Sequence, residues 1–155
     1  MSRVAVGGTF DPIHSGHLAL LARACQLSKG GSLTIGITSN EMARKKYHTI
    51  TDCEIRKSRL YQFMFDEFGV RPEIIIIEDP FGPTVQEDFD YLVVSPETKP
   101  TGRLINKQRI DNGKKPIKIE CVEYVLAWDN KPISSTRILN GEIDIHGRPV
   151  LQSHR

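Results

Sequence analysis

Cysteine is scarce in this chain. Cys25, Cys53 and Cys121 make an odd three with no metal-ligand spacing, so neither a disulfide-stapled scaffold nor a cysteine-built zinc site is expected, and the thiols read as reduced packing residues. No run is long and apolar enough to span a bilayer, and no secretory leader is evident, so a cytoplasmic protein with no membrane partner is expected. Charge of one sign is also lacking. The 21 Lys and Arg against 19 Asp and Glu leave a net +2, too little to argue for a nucleic-acid partner. Two common nucleotide signatures are missing as well: the chain has no GxxxxGK[ST], and its one glycine-rich turn does not fit GxGxxG. Ordinary P-loop and dinucleotide-binding assignments therefore fall away.

What is present is an alternation of short β-branched runs with helical periodicity. Val4–Val6, Leu33–Thr38, Ile74–Ile77, Tyr91–Val94 and Ile117–Val122 read as five strands. Leu18, Leu21, Ala22 and Cys25 recur at helical spacing, as do Leu60, Phe63, Met64 and Phe68, each set giving an apolar face that can cover a sheet. This predicts an α/β domain over residues 1–155, a five-stranded parallel sheet with helices on both faces. A hydrophobic fraction of 39% over 155 residues supports one such core. The stretch 144–155 lacks periodicity and is expected to be a loosely attached tail. Ligands of open parallel sheets bind beyond the carboxyl ends of the strands, where GGTFDP, TSNEMA and VVSPET emerge.

The first of these segments carries the chemistry. Gly7 to Leu18 reads GGTFDPIHSGHL: a strand, a glycine pair that lets backbone approach a ligand, and then a helix start with its unpaired N–H groups. His14 and His17 stand three apart and can face one bound group. Capping or surface packing is the bland alternative for each, but two histidines framed by Thr9, Asp11 and Gly16 directly after a strand favour a phosphate site. Imidazoles and a hydroxyl suit charge developing on a phosphoryl oxygen. Far downstream, Ser134, Ser135, Thr136 and Arg137 precede a short helical stretch, Ile138–Asn140. One serine suffices for an N-cap; the surplus hydroxyls and the guanidinium fit the β- and γ-phosphates of a nucleoside triphosphate.

Two basic clusters need weighing against the ordinary solvated surface. Arg44-Lys45-Lys46 lies in a polar stretch read as a mobile loop at the ligand-bearing edge. Lys99, Arg103, Lys107 and Arg109 fall in and before a predicted helix, Gly102–Asn112, where Asn106 and Arg109 share one side.

HxGH after the first strand together with ISSTR near the end resembles the nucleotidyltransferase superfamily. The middle segments Asp79-Pro80-Phe81-Gly82-Pro83 and Val93-Val94-Ser95-Pro96-Glu97-Thr98, followed by Gly102, Asn106 and Arg109, resemble the phosphopantetheine adenylyltransferases of archaeal and eukaryotic type. The resemblance runs from Val4 to about Gly147. It departs from the bacterial form, which normally has threonine at the position of His14. A Rossmann-like nucleotidyltransferase fold is implied, as is adenylyl transfer from ATP to 4′-phosphopantetheine with Mg²⁺, and dephospho-coenzyme A or coenzyme A is implied as a product-like ligand.

Roles follow from the same resemblance. Thr9 and a lysine, Lys45 or Lys46, would hold the acceptor phosphate, and His17 would act on the α-phosphate with Lys46 and Thr9. The nucleotide would lie against Gly8, Phe10, His14, Ser95, Glu97, Asn106, Arg109, Ile133, Ser134, Ser135, Thr136 and Arg137. Two rival readings remain at this stage. One is another HxGH enzyme, a nicotinamide-mononucleotide adenylyltransferase or a CTP-dependent cytidylyltransferase; the other is a nucleotide-binding regulator without catalysis.

Overall fold

Five strands form one parallel sheet in the computed structural model, which describes residues 1–47 and 49–151. They are β1 (Arg3–Gly8), β2 (Ser32–Thr38), β3 (Glu73–Ile77), β4 (Tyr91–Val94) and β5 (Lys118–Cys121), in the order β3-β2-β1-β4-β5. The central strand shows why the sheet is buried on both sides. Val4 and Val6 face one core with Leu33, Ile35 and Ile37 of β2, while Ala5 faces the other with Leu92 and Val94 of β4. This is the period-two alternation of a pleated strand, here apolar on both faces.

The first core is covered by α1 (Ser15–Ser28) and α3 (Cys53–Phe68), through Leu20, Leu21 and Ala24 of α1 and Leu60 and Met64 of α3. Gly69 closes α3 in the left-handed region at φ 64°, its N–H donating to Met64 and Phe65 carbonyls, a stop that a residue with a Cβ disfavours. The opposite face carries α4 (Lys99–Asp111) and a 3₁₀ turn at Gly82–Val85, with Ile105 and Phe81 packed on Leu92 and Ile117. The DPFGP segment belongs to this cover, since Asp79 Oδ1 accepts from the Phe81 and Gly82 N–H groups and bends the chain over the sheet.

The expected fold class stands, with local differences. Helix α4 begins at Lys99 rather than Gly102, because Pro100 lies in the first turn, where its absent N–H costs nothing. The loop expected at Arg44 begins as a short helix, α2 (Asn40–Arg44), whose N-cap Ser39 accepts from the Met42 N–H. The downstream helix, α5 (Ser135–Leu139), starts three residues earlier than Ile138. The stretch from Asp144, expected to be loose, is tied down as far as Val150: Ile143 is buried and bridges Pro149, the Val150 N–H donates to the Glu142 carbonyl, and the Ile145 carbonyl accepts from the Ser15 N–H at 2.9 Å. The last four residues of that expected tail, 152–155, lie outside the described residues. No helix among the described residues is long and apolar enough to cross a membrane.

Candidate active site

The strand order reverses between β1 and β4, and a cleft of about 280 Å³ opens beyond the carboxyl ends of the strands there, as the geometry of doubly wound sheets requires. Gly8, Thr9, Phe10, His14 and His17 line it from the β1–α1 turn, Lys46 from the segment after α2, and Ser95 and Glu97 from the loop after β4. Ile133, Ser134, Ser135 and Thr136 close the far side. Twelve of the sequence-predicted residues are thus brought to one cavity. A larger hollow of about 810 Å³ lies at the opposite, amino-terminal ends of β1 and β2, away from every one of them.

The turn is held by its own side chains. Phe10 takes a left-handed backbone conformation at φ 53° and is buried, with its ring centroid 4.9 Å from that of His17. A bulky residue at positive φ is uncommon and marks a site where surrounding structure enforces it. His14 is the N-cap of α1: its Nδ1 accepts from the Gly16 N–H at 3.0 Å, and His17 Nδ1 accepts from the His14 N–H at 3.2 Å. The two rings stack at 3.8 Å between centroids. Gly16 is required here, because a Cβ would come within 2.8 Å of the His14 ring.

This reciprocal cap sets the chemistry of both imidazoles. Each Nδ1 accepts, so a neutral ring carries its proton on Nε2. Among the described residues neither Nε2 has a partner, yet no side-chain nitrogen or oxygen is sealed from solvent without one. Both Nε2–H groups are therefore open to the cleft. Burial pushes His14 down to about 4, and burial together with the adjacent His14 pushes His17 down to about 3. Near neutrality the site presents two oriented, uncharged donors. Capping a helix and lining the cleft, opposed readings in the sequence, are one arrangement.

Thr9 lies between the histidines and the second strand, its Oγ1 2.9 Å from Thr38 Oγ1. Behind this pair is Arg56 of α3, 1% exposed, which donates to Thr38 Oγ1 and the Thr9 carbonyl at 3.2 Å each, to the Thr51 carbonyl at 2.7 Å and to Asn40 Oδ1 at 3.3 Å. Sequence reasoning missed Arg56, which stands in a run of ordinary helical charges. At the mouth, Lys46 Nζ donates to Glu97 at 2.5 Å and lies 5.5 Å from the Tyr47 ring centroid. Burial lowers the Lys46 pKa, but its bonds to Glu97 and Tyr47 outweigh that and raise it overall. Tyr47 and the Val122–Val125 segment also face the cleft without having been predicted; the strand rule alone would have put the residues following β5 there.

Four predicted residues are not part of the cleft. Lys45, the alternative to Lys46, ends α2 and does not line the cavity. Asn106 was expected on nucleotide, but it exchanges two hydrogen bonds with the Ile117 backbone, at 2.8 and 2.7 Å, and fastens α4 to the start of β5. Arg109, expected beside it, is 1% exposed and donates to the carbonyls of Lys115, Thr84 and Glu87 and to the Asp88 carboxylate. Both side chains turn inward because that side of α4 packs on the sheet. Arg137 is likewise occupied: its guanidinium forks onto Asp129 at 2.5 and 3.2 Å and also reaches Glu142 and the Pro132 carbonyl. Ser134 serves as the N-cap of α5, accepting from the Arg137 N–H, while Ser135 and Thr136 line the cleft.

Comparison with known proteins fits this site. Residues 5–141 match the model of the cytidylyltransferase-like family. The chain is 50% identical to the phosphopantetheine adenylyltransferase of Methanosarcina acetivorans, over 99% of each chain. It is 45% identical to the enzyme of the same name from Archaeoglobus fulgidus, over 94% of this chain and 97% of that one. A crystal structure of an Archaeoglobus fulgidus protein described as of unknown function superposes with a TM-score of 0.76 at 37% identity, covering 85% of this chain and 99% of that one.

Proposed function

The chain belongs to the phosphopantetheine adenylyltransferases within the cytidylyltransferase-like family, and from that membership we propose that it transfers the adenylyl group of ATP to 4′-phosphopantetheine, giving dephospho-coenzyme A and pyrophosphate. The observation that carries the reading is the capped histidine pair, two neutral Nε2–H donors fixed at the switch point of the sheet. An acceptor phosphate monoester has a second pKa of about 6 and is largely dianionic at neutral pH, so it needs no general base. One of its oxygens forms the new bond to the α-phosphorus, and the bond from that phosphorus to the β-bridging oxygen breaks to release pyrophosphate.

The protein's work is then alignment of two polyanions and stabilisation of charge on the equatorial oxygens. Thr9 and Lys46 hold the acceptor phosphate. His17 donates to the α-phosphate as its charge grows and His14 to the triphosphate; because both are uncharged, they add directional hydrogen bonds without a proton to lose. Ser135 and Thr136 hold the β- and γ-phosphates. Gly8, Phe10, Ser95, Glu97 and Ile133 contact the nucleoside. Arg137 acts at one remove, its grip on Asp129 and the Pro132 carbonyl fixing the segment that delivers Ile133 and Ser134.

Mg²⁺ belongs to the same proposal. No group of three or more His, Cys, Asp or Glu among the described residues is placed to hold a metal, and the carboxylates on the cleft wall are Glu97 and Glu123. Such a wall fits an ion carried mainly by phosphate oxygens and water. When bound, it would offset charge on the departing pyrophosphate. A cytoplasmic location goes with substrates of this kind.

Pyrophosphate release measured with ATP or CTP, each offered 4′-phosphopantetheine, nicotinamide mononucleotide or glycerol phosphate, tests the reading. Turnover confined to ATP with 4′-phosphopantetheine is expected. Preference for CTP or another acceptor overturns the substrate assignment, and nucleotide binding without pyrophosphate release overturns the enzyme.

A further inference from the structure

We propose that Arg56 and Thr38 are positioning residues for the acceptor phosphate: the buried guanidinium donates to Thr38 Oγ1, Thr38 passes its own O–H to Thr9 Oγ1, and the Thr9 O–H is thereby turned into the cleft as a donor. The inference rests on the reading of Thr9 as a ligand of that phosphate and says what makes it a donor. Each hydroxyl has one proton and two lone pairs. Thr38 Oγ1 accepts from Arg56 Nη1 at 3.2 Å and lies 2.9 Å from Thr9 Oγ1; either hydroxyl of that pair can donate, and accepting from a cation makes Thr38 the better donor. Once Thr9 has accepted, its own proton has no partner among the described residues, and Thr9 lines the cleft. The second contact from Arg56, to the Thr9 carbonyl, holds the same residue from its backbone side.

The charge on Arg56 gives this chain its direction. Its four kinds of contact are all neutral oxygens, those of Thr51, Thr9, Thr38 and Asn40, and among the described residues no carboxylate forms an ion pair with it. Asp11, whose charge favours the guanidinium through space, has its own oxygens on the Thr51 N–H and hydroxyl. A buried cation whose direct hydrogen-bond partners are all neutral dipoles polarises the bonds leading away from it. The two hydroxyls carry that polarisation to the cleft, where an anion is the countercharge it acts on. A purely architectural Arg56 would tie α3 to the ends of β1 and β2 and leave Thr38 indifferent to substrate.

Binding of 4′-phosphopantetheine by calorimetry, with both Michaelis constants, is measured for Thr38→Val, Thr38→Ser, Thr9→Val and the double valine variant. Thr38→Val should weaken acceptor binding roughly tenfold or more, the loss seen when a hydrogen bond to a charged group is removed, with the KM for ATP about unchanged. Thr38→Ser should restore it. In the Thr9→Val background, Thr38→Val should add nothing, because the proton it orients is gone. Normal acceptor binding by Thr38→Val, or losses that multiply in the double variant, overturns the relay while leaving Thr9 a ligand. Normal binding by Thr9→Val overturns the reading of Thr9 and the relay with it. Should the valine at 38 fail to fold, Thr38→Ala is read by the same criteria.

Discussion

Burial holds His14 near 4 and His17 near 3, whereas in the unfolded chain each titrates near 6.5. Between those values the unfolded chain binds more protons, so stability rises with pH. The contribution is fully present above about 6.5 and is lost as pH falls toward 4 and then 3. Urea midpoints should therefore drop between pH 7 and pH 5 by the equivalent of about 1 to 2 kcal/mol per imidazole. His14→Asn, which keeps a good cap and removes one titration, should flatten the slope; an unchanged slope would mean that the rings are not held neutral. His17→Ala should lower kcat by roughly 10² to 10³ with little change in ATP affinity, if its donor acts mainly in the transition state. Its loss also removes the acceptor for the His14 N–H, so the melting temperature is measured alongside, and near-normal turnover would make His17 a cap alone. At this scale the sequence was legible where residue types were unusual for their setting. Two histidines and a glycine after a strand, all three brought to one cleft by the structure, pointed to a site. Arg56 did not, since a buried helical arginine is written like an exposed one.

Spacing along α4 showed that Asn106 and Arg109 share a side but not where that side points. The apolar residues decide it: Gly102 and Ile105 are buried on the same face, which turns both polar side chains toward the sheet rather than the cleft. Arg109→Ala should accordingly cost about 2 to 4 kcal/mol of stability, because several buried carbonyls lose their donor at once. The KM for ATP should stay near that of the parent at a temperature where the variant is folded. A raised KM with intact stability would return Arg109 to the nucleotide. The strands were the most readable elements, since short β-branched runs allow few other structures. Helix starts were less so. Pro100 and Ser134 look like interruptions in a periodicity reading but are acceptable first-turn and cap residues. The attachment of the stretch after Asp144 was not legible at all, because backbone bonds such as that from the Ser15 N–H to the Ile145 carbonyl leave no side-chain pattern.

Across the whole molecule, the cleft divides a β2–β3 side from a β4–β5 side, and the contact of Lys46 with Glu97 spans it. Both side chains are more than half exposed, at 53% and 58%, so the ion pair is worth at most about 1 kcal/mol. A phosphate dianion offers Lys46 a second negative charge and three acceptor oxygens, more than one carboxylate can. On the role proposed for Lys46, exchange of Glu97 for the acceptor phosphate would be favoured, and the ion pair would keep the ammonium poised at the mouth until then. Lys46→Ala should raise the KM for 4′-phosphopantetheine and lower kcat together. Lys45→Ala should leave both near the parent values, since Lys45 ends α2 outside the cavity. Glu97→Gln separates competition from simple anchoring: with the carboxylate neutralised, acceptor binding should tighten or hold if Glu97 competes with the phosphate, and weaken if the pair's main work is to fix Lys46 in place. Because both forces scale with exposed charge, the Lys46 effect should shrink as ionic strength rises. Equal, negligible losses in the two lysine variants would return the cluster to plain solvated surface and leave Thr9 as the residue at the acceptor phosphate.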